Sequence, residues 1–350
     1  MTRYSLLMVL YLAVVASPLL GQEVIERESG TYATETIRIA RPVAPKAKIE
    51  VASAVHLSGS IKIVTHTADS LVVEYRKVAK ASSRSEAIDF IDLISVVSEG
   101  RAETPVVKMR APNPAPWSGT DYAGMVELEL IVPSGAELEI EAPIYDLTAR
   151  GPLRALDIPE SLGKMEISGI TERLNVSTAN RRVTLSDIKG QVSAVTSNSS
   201  LLVENLSCPD EQARFRNDGG DIDIVGVVGT LNVRNSYGRI SIEKWTAKGS
   251  SSYIRGTSGP VAVEITSMDE GQLVISNRQE DIEISVPDTL SAFYTLSVDD
   301  DGIIEASNFS FTPDLVEHNR LNLVAGDGRV DIRGSVKGKG NIFIRGKAGE

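Results

Sequence analysis

The chain is 350 residues long, 42% apolar and 24% charged, with a formal net charge of −11. That length leaves room for two domains or one elongated repeat array. The acidic balance argues against nucleic acid or an anionic membrane as the main partner, since both reward clustered Lys and Arg. A single cysteine, Cys208, excludes any intramolecular disulfide.

Arg3 precedes an apolar run from Leu6 to Ala16, followed by Ser17, Pro18 and the small residue Gly21. This pattern predicts an export signal over residues 1–21, cleaved after Ala16 or Gly21. The run falls short of the roughly 20 residues a spanning helix needs, so no spanning segment is expected in the mature chain. Gln22 stands where a lipoprotein would carry Cys. Residues 22–47 are polar and close on Pro42-Val43-Ala44-Pro45, which predicts a linker or a loose first strand.

A small β-rich N-terminal region with one helix is predicted over 48–135. Alternating runs at Lys48–Val51, Ser60–Val64, Leu71–Tyr75, Val106–Arg110 and Met125–Val132 carry the period of two of half-buried strands. Ser83 and Glu86 are spaced as a capping box, and Ile88, Ile91 and Ile94 recur at helical spacing. A helix is therefore predicted from Ser85 to Leu93, packed across an edge of the first sheet. Trp117, in the Pro-rich loop from Pro112, is expected to be a local packing plug.

From 136 to 350 the sequence repeats. Leading strands are predicted to start at Leu138, Leu156, Leu174, Val192, Ala213, Leu231, Ser252, Leu273, Tyr294 and Leu321. Nine positions after each comes a trailing strand, at Leu147, Met165, Val183, Leu201, Ile222, Ile240, Val261, Ile282, Ile303 and Val330. Units are 18 or 21 residues long, with one interval of 27 after Tyr294. In each strand the start and the residue two further on should face inward, and all these positions are apolar except Ser252 and Glu305.

Gly163, Gly220, Gly238, Gly259 and Gly328 sit two residues before a trailing strand, as a tight corner with positive φ would require. Asn217, Asn235 and Asn277, with Thr178 and Thr196, recur four residues into the leading strands and predict a polar ladder at that corner. No unit could fold alone: four aliphatics contribute roughly 6–12 kcal/mol, whereas ordering about 18 residues costs roughly 18–36 kcal/mol. The fold class predicted is all-β, a parallel β-solenoid of short coils capped near Ile342–Ile344; an antiparallel sandwich is the competing arrangement.

Three sets of residues carry a resemblance: Ser58-Gly59-Ser60-Ile61-Lys62-Ile63, the entry Val132-Pro133-Ser134-Gly135, and the unit from Leu231 to Ile242. They resemble an uncharacterised bacterial family of candidate adhesins, distantly like the heads of autotransporter adhesins, over roughly Ile49–Ile344. The resemblance implies a β-solenoid outside the cytoplasm and brings no catalytic residues with it.

The chemical motifs are sparse. Asn217–Asp221 and Asp299–Gly302 are acidic turns, but the calcium β-roll spacing is broken in both the first of these and Gly326–Asp331. Glu166, Asp223 and Glu283 are outward acids expected to lie too far apart for an acid/base pair. The mixed charges Asp146, Lys164, Arg182, Asp221, Arg239, Asp281 and Arg329 just before the trailing strands suggest a charge ladder. His56, His66 and His318 are scattered, and Cys208 has no neighbouring His in sequence. The basic tail Arg333, Lys337, Lys339, Arg345 and Lys347 is expected to be a solvated edge. Tyr253 is the clearest outward aromatic. Asn175, Asn198, Asn205 and Asn308 sit in Asn-x-Ser patterns that matter only where a source glycosylates.

The sequence thus assigns no catalytic residue, no metal ligand and no cofactor, and names no ligand-binding residue. It predicts a non-enzymatic exported protein, periplasmic or secreted, that binds an envelope or extracellular protein or glycan. The alternatives are a glycan-active β-helix enzyme and a structural or signalling partner of an envelope sensor.

Overall fold

The computed structural model describes residues 23–348 apart from 250, 300 and 310–314. The expected export signal lies outside the described residues. What is described is all-β with one helix, Arg84–Asp92.

The repeats pair in parallel, each strand on its counterpart one unit away. In the leading ladder Leu138 lies opposite Leu156, which lies opposite Leu174, then Val192. Ala213 lies opposite Leu231, and Ser252 opposite Leu273. In the trailing ladder Leu147, Met165, Val183, Leu201, Ile222, Ile240, Val261 and Ile282 follow one another without a slip at those positions. The predicted inward residues are buried throughout these units. Even Ser252 fits, because its hydroxyl accepts from the backbone N–H of Leu231 at 3.1 Å.

A further buried column follows the five successive trailing strands that start at Met165, Val183, Leu201, Ile222 and Ile240: Ile170, Ile188, Leu206, Val227 and Trp245. It falls five residues past the strand start, out of phase with simple alternation. The preceding residues Gly169, Asp187, Asn205, Gly226 and Lys244 all have positive φ, and this left-handed step rotates the next side chain back inward.

The parallel pairing also runs across residue 135. Lys48–Ser53 pairs with Glu137–Glu141, and Leu57–His66 with Tyr145–Arg150. On their other sides these strands receive Pro105–Arg110 and Ala123–Pro133. The segment expected over 22–47 as a linker or a loose first strand is, over its described residues 23–47, three strands: Val24–Glu28, Thr31–Thr34 and Ile37–Pro42, added antiparallel around Ser70–Lys80. The helix packs on this group through Ala87, Phe90 and Ile91. Ser83 caps it, accepting from Glu86 N at 3.3 Å, while Ser82 donates its backbone N–H to Glu86 at 2.9 Å. Ile88, expected on the inner face, is exposed.

The last units depart from chain order. Leu273 lies opposite Ile332 rather than Tyr294, and Ile332 in turn lies opposite Tyr294. Likewise Ile282 pairs with Ile342, which pairs with Ile304. The unit formed by Val330–Val336 and Ile342–Lys347 is therefore inserted between two units that precede it in sequence. Val330 begins a leading strand, not a trailing one, and the 342–344 segment is not a cap. Arg320–Val324, expected as a tenth parallel leading strand, instead runs antiparallel to Ala292–Val298. The trailing strand placed at Ile303 starts at Ile304, which is buried while Ile303 is exposed, so Glu305 is no longer an inward exception. Pattern identifies these segments as strands; it does not say which apolar edge each will meet.

Candidate functional site

Because the strands are in register, outward side chains form columns about 4.8 Å apart, and any site has to be sought on those faces. The corners between leading and trailing strands are closed by backbone contact. A Cβ at Gly163 would lie 1.8 Å from the carbonyl oxygen of Tyr145, one at Gly238 2.2 Å from that of Gly220, and one at Gly259 2.2 Å from that of Gly238. None of these three has positive φ. Close approach of stacked corners, not turn geometry, explains them; Gly220, with φ of 94°, combines both reasons. Gly328 lies before a leading strand and makes no such approach, whereas Gly340 and Gly302 take up the same column.

The predicted polar ladder exists but bonds to the main chain. Asn217 Nδ2 donates to the carbonyls of Ser199 and Gly220 at 2.6 and 3.0 Å, and Asn277 Nδ2 to that of Gly259 at 2.9 Å. Thr178 Oγ1 donates to the Ser161 carbonyl at 2.9 Å. Asn235 Nδ2 meets the Gly220 carbonyl at 2.9 Å, but its buried Oδ1 finds no donor. Acids expected as a charge ladder act similarly: Asp146, Asp221 and Asp281 accept from the backbone N–H of Lys164, Arg239 and Asn341 at 2.7–2.9 Å. These groups satisfy corners and are not free for chemistry.

Glu166, Asp223 and Glu283 lie on the outer trailing face, each three units from the next, which is about 14 Å. Glu166 pairs with Lys164 and Asp223 with Arg239, both at 2.7 Å. The separation exceeds the span of a glycosidase carboxylate pair. In the acidic turn at 217–221, Asp218 accepts from Ser236 and pairs with Arg216. Among the described residues no three His, Cys, Asp or Glu side chains converge as metal ligands.

The His residues are dispersed: His56 meets Asn113, and His66 meets the Ser70 carbonyl. Cys208 is fully buried, and burial pushes its thiol up to about 11. Trp117 is the plug anticipated, donating to the His56 carbonyl at 2.7 Å with its ring 5.4 Å from Phe90.

Two shallow depressions adjoin on the outer face formed by Leu57–His66, Ser70–Lys80 and Ala123–Pro133. Their charges neutralise one another: Arg27 pairs with Glu127 at 2.5 Å, Lys62 with Glu129 at 2.8 Å, and Arg76 with Glu127 at 3.8 Å. The basic tail is likewise divided, with Arg333 on Asp331 at 2.7 Å and Lys347 on Glu264 at 2.8 Å.

A different balance holds on the leading face of the middle units. The outward residues Arg214, Arg216, Arg234 and Arg255 come from three successive strands, with Arg216 opposite Arg234 and Arg234 opposite Arg255. Sequence inspection missed them because they are separated by 18 and 21 residues and only the register brings them together. Tyr253, 40% exposed, lies beside them.

Among solved structures, a candidate adhesin from Parabacteroides merdae is 9% identical, with 88% of this chain and 95% of that one covered at a TM-score of 0.32. One from Parabacteroides distasonis is 11% identical, with 89% and 97% covered at 0.31. A candidate cell adhesion protein from Clostridium sporogenes is 11% identical, with 89% and 100% covered at 0.22. No curated protein matches the chain. Among the described residues no helix is long and apolar enough to cross a membrane. The family model described as Toastrack DUF4097 matches residues 48–292, well over half of the chain, and the protein belongs to that family.

Proposed function

We propose that the protein is a non-catalytic binding or scaffold module exported to the bacterial envelope, whose parallel ladders wind as a β-solenoid. The observation that carries this reading is the register itself: it fixes outward side chains in long columns from Glu137 to Arg345, which suits recognition of an extended partner better than enclosure of a small substrate. On this reading residues 1–21 direct export, 22–47 and the rest of the N-terminal region close one end of the stack, and the repeats from 136 present the binding face. The partner is an envelope or extracellular protein or glycan.

Cross-linking in the native envelope tests it. The protein should be recovered outside the cytoplasm, joined to one recurrent partner through residues on a ladder face. Release of oligosaccharides from envelope polysaccharide by the purified protein would instead assign it to glycan-active enzymes.

A further inference from the structure

We infer that the leading face of the middle units is a binding surface for an anionic polysaccharide, one bearing carboxylate, sulfate or phosphate groups. The outward positions one and three residues past each leading-strand start, from Asn175 to Ser276, are Asn175, Ser177, Ser193, Val195, then Arg214 and Arg216, Asn232 and Arg234, Tyr253 and Arg255, and finally Val274 and Ser276. They include four arginines and no acid, in a chain where Asp and Glu outnumber Lys and Arg by 47 to 36. The trailing face of the same units carries Glu204, Asp223 and Glu243 instead.

The arrangement opposes the protein's own stability. Like charges directly opposite on neighbouring strands repel, and Arg216, Arg234 and Arg255 form such a column. Among the described residues no ion pair relieves Arg214, Arg234 or Arg255; only Arg216 has a partner, Asp218 at 3.4 Å. All four arginines are exposed. An external polyanion supplies the missing counter-charge. Guanidinium groups bind carboxylate, sulfate and phosphate through paired N–H donors. A spacing of about 4.8 Å between successive arginines lets one extended chain meet several of them. Tyr253 offers a ring face to a sugar, and Asn232 a neutral donor and acceptor between arginines.

The inference rests on the binding-module reading above and narrows its partner. The test uses the full mature chain on immobilised dextran sulfate and polygalacturonate, with neutral dextran and double-stranded DNA alongside. Binding to one of the anionic polysaccharides, absent on dextran, should weaken at least tenfold in Arg234→Ser/Arg255→Ser and fall steeply with salt. A control, Glu204→Gln/Glu243→Gln, should bind as the parent does. Thermal melts keep folding separate: at low salt the Arg variant should melt at or above the parent temperature, since repulsion is removed.

Equal binding by parent and Arg variant would overturn the inference, as would capture of DNA alone. So would self-association that the Arg variant abolishes without any polysaccharide bound. If no anionic polysaccharide binds while envelope cross-linking still yields a recurrent partner, this inference fails and the binding-module reading survives.

Discussion

At Gly238 the lack of a side chain lets two corners stack, and the cost of adding one can be set against a nearby glycine that has room. A methyl group on Gly238 would meet the Gly220 carbonyl oxygen at 2.2 Å, whereas one on Gly219 would meet the Asn198 side chain at 3.1 Å. Gly238→Ala should therefore destabilise by about 2–3 kcal/mol and Gly219→Ala by less than about 1 kcal/mol, read from urea midpoints. Cys208 gives a pH signature. Burial raises its folded-state thiol from 9.0 to about 11, so the neutral form is the one the fold prefers. Below pH 9 both states are protonated and its contribution is complete. Between pH 9 and 11 the unfolded chain ionises first, and stability should fall by up to about 2–3 kcal/mol. Burial raises Tyr145 and Tyr294 in the same direction, so the slope belonging to Cys208 is the part that Cys208→Ala abolishes.

Strand order is the decisive property at the level of elements. Gln272 lies opposite Asp331, with Gln272 Nε2 donating to its carboxylate at 2.9 Å, and Asp331 lies opposite Phe293. In a Cys208→Ala background, cysteines at 272 and 331 should oxidise to a cross-link. Cysteines at 272 and 293 should not, because an intervening strand holds them about 9.6 Å apart, beyond disulfide reach. Electrophoresis without reductant distinguishes the two arrangements. The units from Leu138 to Ile284 were legible because their apolar period repeats with a constant corner. The column from Ile170 to Trp245 was not, since a left-handed residue inverts the phase that alternation assumes; the run of Gly, Asp, Asn and Gly at 169, 187, 205 and 226 was the available clue. The inserted unit escaped because apolar strands of similar pattern are interchangeable until three-dimensional closure selects among them. Of the outward face, the individual arginines could be seen, but not their alignment.

At the scale of the whole molecule, neither the first parallel strand nor the last unit lies at an edge of the ladder. Lys48–Ser53 lies between Pro105–Arg110 and Glu137–Glu141, and Val330–Val336 lies between Gly271–Asn277 and Ala292–Val298. Removing residues 326–350 would withdraw a rung from within and leave unpaired strand edges on both sides. The truncated protein should lose at least 10 °C in Tm or aggregate on size-exclusion chromatography, a larger loss than fraying of a terminal repeat would cause. The inserted strand Ile342–Lys347 has a further, mechanical consequence. It is bonded along one side to Ile282–Pro287 and along the other to Ile304–Ser307. Tension entering the fold through Lys347 would have to shear two rows of bonds together instead of unzipping one, giving a protein held in a flowing or pulled environment a grip that an outermost strand could not provide.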